Sequence, residues 1–396
     1  MPKLSENRGH LPETIMMYLL MVSYAVFSTL VGVVLTRLLN EFEIPLSDGG
    51  IFPLIQNLGC LAGILVSGFI LGRHNYRRLT LMVFAGFTSV VLLIPLSTTL
   101  LTYLFFLLLG GFMSKFLDST LNVSTSMLHL QNKGFYLSLL HCSFGIGAFI
   151  GPIANGKLLN SGVSWRGIYF ILGLACLFLL ACYALVTRGK THSQSGRFEP
   201  PRVLQFKSLL NRRTIGLLLV IALYCGFEYG IGNWIPTFMT ENLGSSTMLA
   251  ASGLSFFWLG SIAGRLTFAF LTIYVREKTL IVTGCILGGL LVLTGLLIQS
   301  ETWVIIGVAG AGFFASGISP ITIAVGYAWY PEAQGLISML MFMSISIGAG
   351  IFPWLIGIVA GLLGLHSALV INSLLVLLAG LITLALPLGA VKRKAK

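Results

Sequence analysis

Four ionisable residues stand where an apolar chain can least accommodate them. Lys115 and Asp118 lie three residues apart inside YLFFLLLGGFMSKFLDSTLNVSTSML (103–128), Glu228 stands in LYCGFEYGIGNWIPTF (223–238), and Arg265 closes GSIAGR (260–265). A charge isolated at the centre of a bilayer costs roughly 2.5–3.5 kcal/mol on insertion scales, so such residues face a partner or a water-filled cavity. At 100° per residue, Gly111, Lys115, Asp118 and Asn122 fall within about 60° of one helix face, with Thr125 and Ser126 flanking its continuation. Phe116, Leu117 and Leu121 point elsewhere. Lys115 and Asp118 at i, i+3 can reach each other. A carboxylate on such a wet stripe can exchange a proton or a cation, with the ammonium tuning it. The alternative is a static pair that only holds helices together, a weak use of buried charge.

Glu228 has no nearby base on its own helix, which makes it a second candidate for ion coupling. Tyr224, Glu228 and Gly232 share a face, and Asn233 and Trp234 follow. An indole and a phenol beside an amide form a platform for a sugar ring or another amphipathic ligand; the same aromatics also suit a membrane interface. Pro236 can hinge this helix. His141 is either a proton relay or substrate contact, since its unperturbed pKa lies near neutrality, or a neutral ring bonded to a backbone carbonyl. Arg265 is read as a gate residue or as a side chain snorkelling to the interface.

These residues need a bilayer to make sense. The chain is 56% hydrophobic and 9% charged, against about 25% charged in soluble domains, and its mean hydropathy is +0.94. Twelve apolar stretches, the first at roughly 15–36 and the fourth at 100–128, are each long enough to cross a hydrocarbon core of ~30 Å. The expected fold is an all-α polytopic membrane protein of twelve helices. The polar stretch TRGKTHSQSGRFEPPRVLQFKSLLNRR (187–213) divides them into an N-terminal six-helix bundle (1–187), a linker (188–213) and a C-terminal six-helix bundle (214–396). The net charge of +12 follows topology. Lys3, Arg8, Arg73, Arg77, Arg78, Lys133, the basic linker, Arg276, Lys278 and the C-terminal lysines fall on one side. That asymmetry sets both termini in the cytoplasm and argues against a nucleic-acid partner. The first helix is read as retained, without a signal-peptide pattern. The six cysteines all lie in helices with no metal spacing and read as free thiols. No P-loop, paired metal-ligand histidines or nucleophile elbow points to an enzyme.

The second half slides onto the first by 201 residues. IGAFIGPIANG (146–156) falls on IGAGIFPWLIG (347–357), Gly111-Phe112 on Gly312-Phe313, Gly134 on Gly335 and Gly63 on Gly264. Such a parallel repeat places a substrate site between halves near the midplane. Twelve helices, a 6+6 duplication and a basic central loop resemble the major facilitator superfamily. GFILGRHNYRR (68–78) is similar to its G-x-x-x-D-R-x-G-R-R signature. Gly68, Arg73 and Arg77 match, whereas Gly72 stands for the usual Asp, and Asn75 and Tyr76 for a Gly and an Arg. The resemblance implies a gating role for Arg73 and Arg77, with the arginines anchoring the loop at anionic headgroups.

Asp118 and Asn122 after a Gly-Gly pair, LLHCSFGIGAFIGP, and YCGFEYGIGNW look like the fucose/galactose/glucose cation-symporter branch, its sodium-dependent glucose transporter-like members in particular. That likeness implies cation coupling at Asp118 and Glu228, with Lys115 modulating, and substrate binding by Asn122, His141, Tyr224, Asn233 and Trp234. Lys115 departs from the branch: its ammonium can replace a coupling sodium, favour proton coupling, or recognise an acidic substrate group. GAFIGPIANG (147–156) also resembles a helix-5 motif of drug antiporters, with Asn155 for a glycine. The expectation is a monomeric secondary transporter of the cell inner membrane. It moves a small sugar-like molecule by alternating access, with a proton or sodium ion and no other cofactor, among membrane lipids. Proton-driven export of amphipathic compounds or drugs is the alternative, and a receptor of transporter ancestry a remote third.

Overall fold

The computed structural model describes residues 10–71, 75–129, 133–188 and 210–388. Among them the chain is helical throughout, with no strand. The helices are α1 (Leu11–Glu41), α2 (Ile51–Ile70), α3 (Tyr76–Leu93), α4 (Leu100–Leu128), α5 (Lys133–Asn160), α6 (Trp165–Thr187) and α7 (Arg212–Leu243). After them come α8 (Thr247–Leu271), α9 (Glu277–Ile298), α10 (Glu301–Ala315), α11 (Ile318–Trp329), α12 (Gln334–Leu363) and α13 (Leu365–Ala385). Ser316 and Gly317 interrupt one span, so α10 and α11 together make the tenth crossing. Twelve helical stretches are long and apolar enough to cross a bilayer. Large apolar side chains such as Phe69, Leu101, Phe178 and Leu362 lie exposed along them, as a hydrocarbon solvent requires.

Local chemistry sets the helix ends. Asn75, Thr99, Ser164, Asn211 and Ser246 cap the N-termini of α3, α4, α6, α7 and α8 by accepting backbone N–H groups that have no partner inside the helix. Gly244 ends α7 at φ 69°, the left-handed region that glycine enters without strain. The first helix starts at Leu11, earlier than the expected 15, and so takes Glu13 into its first turn.

The helices form two compact units by contact: residues 1–30 with 58–200, and residues 31–57 with 201–396. The C-terminal part of α1, from Val31, and the start of α2 thus group with the second unit. Small residues and prolines explain the transfer. A proline inside a helix leaves the carbonyl four residues earlier without its donor. Pro353 frees the Ala349 carbonyl, and the Asn57 amide donates to it at 3.1 Å. Pro236 likewise frees the Gly232 carbonyl, which lies against Gly32, where any side chain would collide. Gly50 packs directly on the backbone of Pro353 and Trp354.

Inside each unit the repeat is visible atom by atom. Gly59 and Gly63 of α2 lie against the carbonyls of Leu108 and Phe112 of α4. Gly260 and Gly264 of α8 lie against the carbonyls of Ala309 and Phe313 of α10. All four glycines and all four carbonyls are related by the same 201 residues, so the duplication read from sequence is a duplication of backbone-to-backbone helix contacts.

Candidate functional site

In the first unit, α4 builds a polar stripe from its own side chains. The Lys115 ammonium donates to Asp118 Oδ2 at 2.7 Å, and the Asn122 amide donates to Asp118 Oδ1 at 2.9 Å. Both carboxylate oxygens are therefore engaged, by side chains about one helical turn to either side. Lys115 and Asp118 keep side-chain exposures of 21% and 14%, which leaves the pair reachable. Ser114, Ser119 and Ser126 spend their hydroxyls on backbone carbonyls of the same helix, so Lys115, Asp118 and Asn122 are the stripe's chemical heads. Leu117 and Leu121 on the other side are fully buried. Tyr24 of α1 and Cys60 of α2 lie within electrostatic reach of Asp118. Tyr24 packs on Phe144 of α5 with ring centroids 5.3 Å apart. Four helices therefore converge here.

In the second unit the arrangement is looser. Glu228 of α7 is 6% exposed and faces Arg265 of α8 at 3.7 Å, with the Tyr224 hydroxyl within electrostatic reach. A neighbouring helix thus supplies the base that its own helix does not place nearby. Arg265, expected as a gate or a snorkelling residue, faces Glu228.

Two other expectations change. Trp234 is fully buried, and its indole N–H is spent on the Pro353 carbonyl at 2.8 Å. Its ring edge abuts Gly49 and Gly357. It locks the 31–57 segment to α7 and α12 and offers no platform to a ligand. Arg77 does not reach for headgroups: it is 4% exposed and forms a two-pronged ion pair with Glu13, itself wholly buried, at 2.7 and 2.8 Å. The neighbouring Arg78 is the exposed one. Arg73 lies outside the described residues. Asn233 is 8% exposed and donates to the Tyr229 carbonyl of its own helix. His141 is exposed on the α5 face that carries Gly134 and Ser138.

Sequence reasoning passed over Glu13 and His129. His129, at the end of α4, is 4% exposed, bonds Thr14 Oγ1 at 2.7 Å through Nε2, and stacks on Tyr136 at 3.5 Å between centroids. Thr14 gives its only hydroxyl hydrogen to the His10 carbonyl, so Nε2 carries the imidazole hydrogen in this bond. Burial and the nearby His10 hold the His129 pKa down at about 4.

A sequence profile described as Major Facilitator Superfamily matches residues 16–272 and again 217–396. The chain belongs to the Major Facilitator Superfamily. Within it, the chain is 24% identical over 362 residues to the Protein TsgA homolog of Buchnera aphidicola subsp. Baizongia pistaciae (strain Bp), covering 89% of this chain and 90% of the relative. It is 21% identical over 332 residues to the Glucose/mannose transporter GlcP of Bacillus subtilis (strain 168), covering 81% of each. The fold matches that of a bacterial homolog to the human lysosomal transporter Spinster, with a TM-score of 0.79 at 14% identity over 96% of this chain and 97% of that one. This superfamily member is a multi-pass membrane transporter, not an enzyme.

Proposed function

We propose that the chain is a secondary active transporter. It moves a small polar solute, a sugar or sugar-like molecule, by alternating access coupled to a proton gradient across the cell membrane, with both termini in the cytoplasm. One observation carries the reading: a carboxylate in mid-helix, held by Lys115 and Asn122 yet left partly open. Coupling requires a group whose charge or occupancy differs between two conformations, and Asp118 meets that description. Lys115 and Asn122 stabilise its charged form and compete with whatever neutralises it. The Lys115 ammonium, 2.7 Å from Asp118 Oδ2, already holds a positive charge where a coupling sodium would sit; that favours the proton. The glucose/mannose transporter among the relatives supports a sugar, and the charge asymmetry supports the orientation.

The export reading loses its main support. Gly147 and Gly151, in the antiporter-like stretch, lie against Val22, Ala25, Val26 and Thr29 of α1, and Gly348 lies against Ala222 in the other unit. A packing role in both halves accounts for the motif. Uptake of labelled D-glucose and D-mannose into proteoliposomes tests the proposal. An inward proton gradient should drive accumulation without sodium. Accumulation driven only by sodium, or flux confined to hydrophobic cations, would overturn it.

A further inference from the structure

Among the described residues, three of the sealed and unsatisfied polar atoms of the second unit belong to Glu228, Arg265 and Ser261. Glu228 Oε1 makes no hydrogen bond, Arg265 Nε has no acceptor, and the Ser261 hydroxyl, on a residue 1% exposed, has neither. Ser261 and Arg265 are one turn apart on the same face of α8, and Arg265 is the residue that reaches Glu228. The repeat places Ser261 independently. Its counterpart at 201 residues is Cys60, which lies beside the Lys115–Asp118 pair in the first unit.

Buried polar atoms without partners are rare, and each one needs a reason. Here an acceptor on α7 faces a donor on α8, and a group of both kinds lies one turn from that donor. At 3.7 Å the carboxylate and guanidinium are too far apart to satisfy each other by a hydrogen bond. Helix packing gains nothing from this spacing, whereas two adjacent hydroxyls, one donating and one accepting, would satisfy both sides. The pair is charge-compensated, so a neutral ligand fits it better than an ion, which would leave one member exposed to a like charge. Arg265 is the movable member: its side chain is 39% exposed and, among the described residues, no closer ion pair holds it.

We propose that Glu228, Arg265 and Ser261 form a substrate subsite that reads a vicinal diol of a neutral polyol. The Glu228 carboxylate accepts from one hydroxyl, the Arg265 guanidinium donates to its neighbour, and Ser261 bonds the second hydroxyl from the adjacent turn. Entry of the ligand swings the Arg265 arm aside and turns a loose ion pair into two charge-assisted hydrogen bonds. The subsite rests on the reading of the chain as a carrier of sugar-like solutes. It gives Glu228 and Arg265 a recognition role apart from coupling.

The test measures binding of D-glucose, D-mannose and the singly deoxygenated glucoses to the purified full chain at fixed pH, without a gradient. The wild type should lose about tenfold or more affinity at two adjacent deoxy positions, the scale of a lost charge-assisted bond. Arg265→Leu and Glu228→Gln should each weaken the parent sugar and erase discrimination at one of those positions. Ser261→Ala should weaken binding while leaving the unliganded Tm unchanged or higher, because it removes a buried hydroxyl with no partner; a structural role would lower Tm. Equal weakening of every sugar by all three variants, or no weakening, overturns the subsite alone. A wild type that binds no sugar of the panel overturns the subsite together with the proposed substrate class.

Discussion

Asp118 and Glu228 are both carboxylates in membrane-spanning helices, each facing a protein cation, yet their surroundings differ in kind. Asp118 has both oxygens engaged by residues three and four positions along its own helix, at 2.7 and 2.9 Å. Glu228 meets its cation from another helix at 3.7 Å and keeps an oxygen unspent. A pair built on one helix moves as a body, so its geometry survives when helices shift, and only a change in charge or a competing ligand undoes it. A pair split between helices changes with any sliding of α7 past α8. The first arrangement suits a coupling group that must persist through the cycle. The second suits a contact made and broken as substrate comes and goes.

Glu13 and Arg77 give the fully buried limit of the comparison and the largest expected effect. Removing one partner, as in Arg77→Ala, strands a buried charge and should cost about 3–5 kcal/mol, read as a drop in Tm of the purified protein. The double replacement Glu13→Gln with Arg77→Met should recover most of it. Lys115→Ala would bring Asp118 closer to the Glu228 condition. It should cost about 1.5–3 kcal/mol, the worth of a charge-assisted bond, read as a drop in Tm of the purified protein. Arg265→Ala, by contrast, should cost less than about 1 kcal/mol in the absence of ligand, because its contact is long and partly solvated. Equal losses at the two sites would erase the distinction between them.

His129 adds a pH-dependent term on the side of the chain that carries Glu13. Its folded pKa of about 4 lies below the unfolded value of about 6.5, so the unfolded chain binds more protons between those values. Its contribution is complete above pH 6.5 and is lost as pH falls toward 4, on the order of 1–2 kcal/mol by pH 5. Tm measured from pH 7.5 to 5 should fall, and His129→Gln should flatten that part of the curve. A small effect, close to that of Arg265→Ala, belongs to Trp234→Phe. It should cost about 1 kcal/mol for the bond to Pro353 and leave sugar affinity unchanged; a large loss of affinity would return Trp234 to the binding site.

What could be read from the sequence follows from the distance over which each feature is written. Hydropathy specified twelve spans, and the 201-residue offset anticipated the shared glycine contacts of α2 with α4 and α8 with α10. The stripe on α4 was legible down to its contacts, because Lys115, Asp118 and Asn122 are neighbours by helical period alone. Glu228 with Arg265 was not, since nothing local pairs residues on successive helices. Arg77 and Glu13 are 64 residues apart, and a hydropathy window that opens at 15 leaves Glu13 outside the first span. Trp234 has a platform's composition, but its partner lies 119 residues away, and burial rather than residue type decided its role.

If Asp118 carries the coupling while sugar binding resides elsewhere, Asp118→Asn separates the two in proteoliposomes, where proton-driven accumulation of D-glucose is compared with gradient-free counterflow of the same sugar. Accumulation above equilibration should disappear in the variant while counterflow persists. Accumulation at the wild-type level would place the coupling elsewhere.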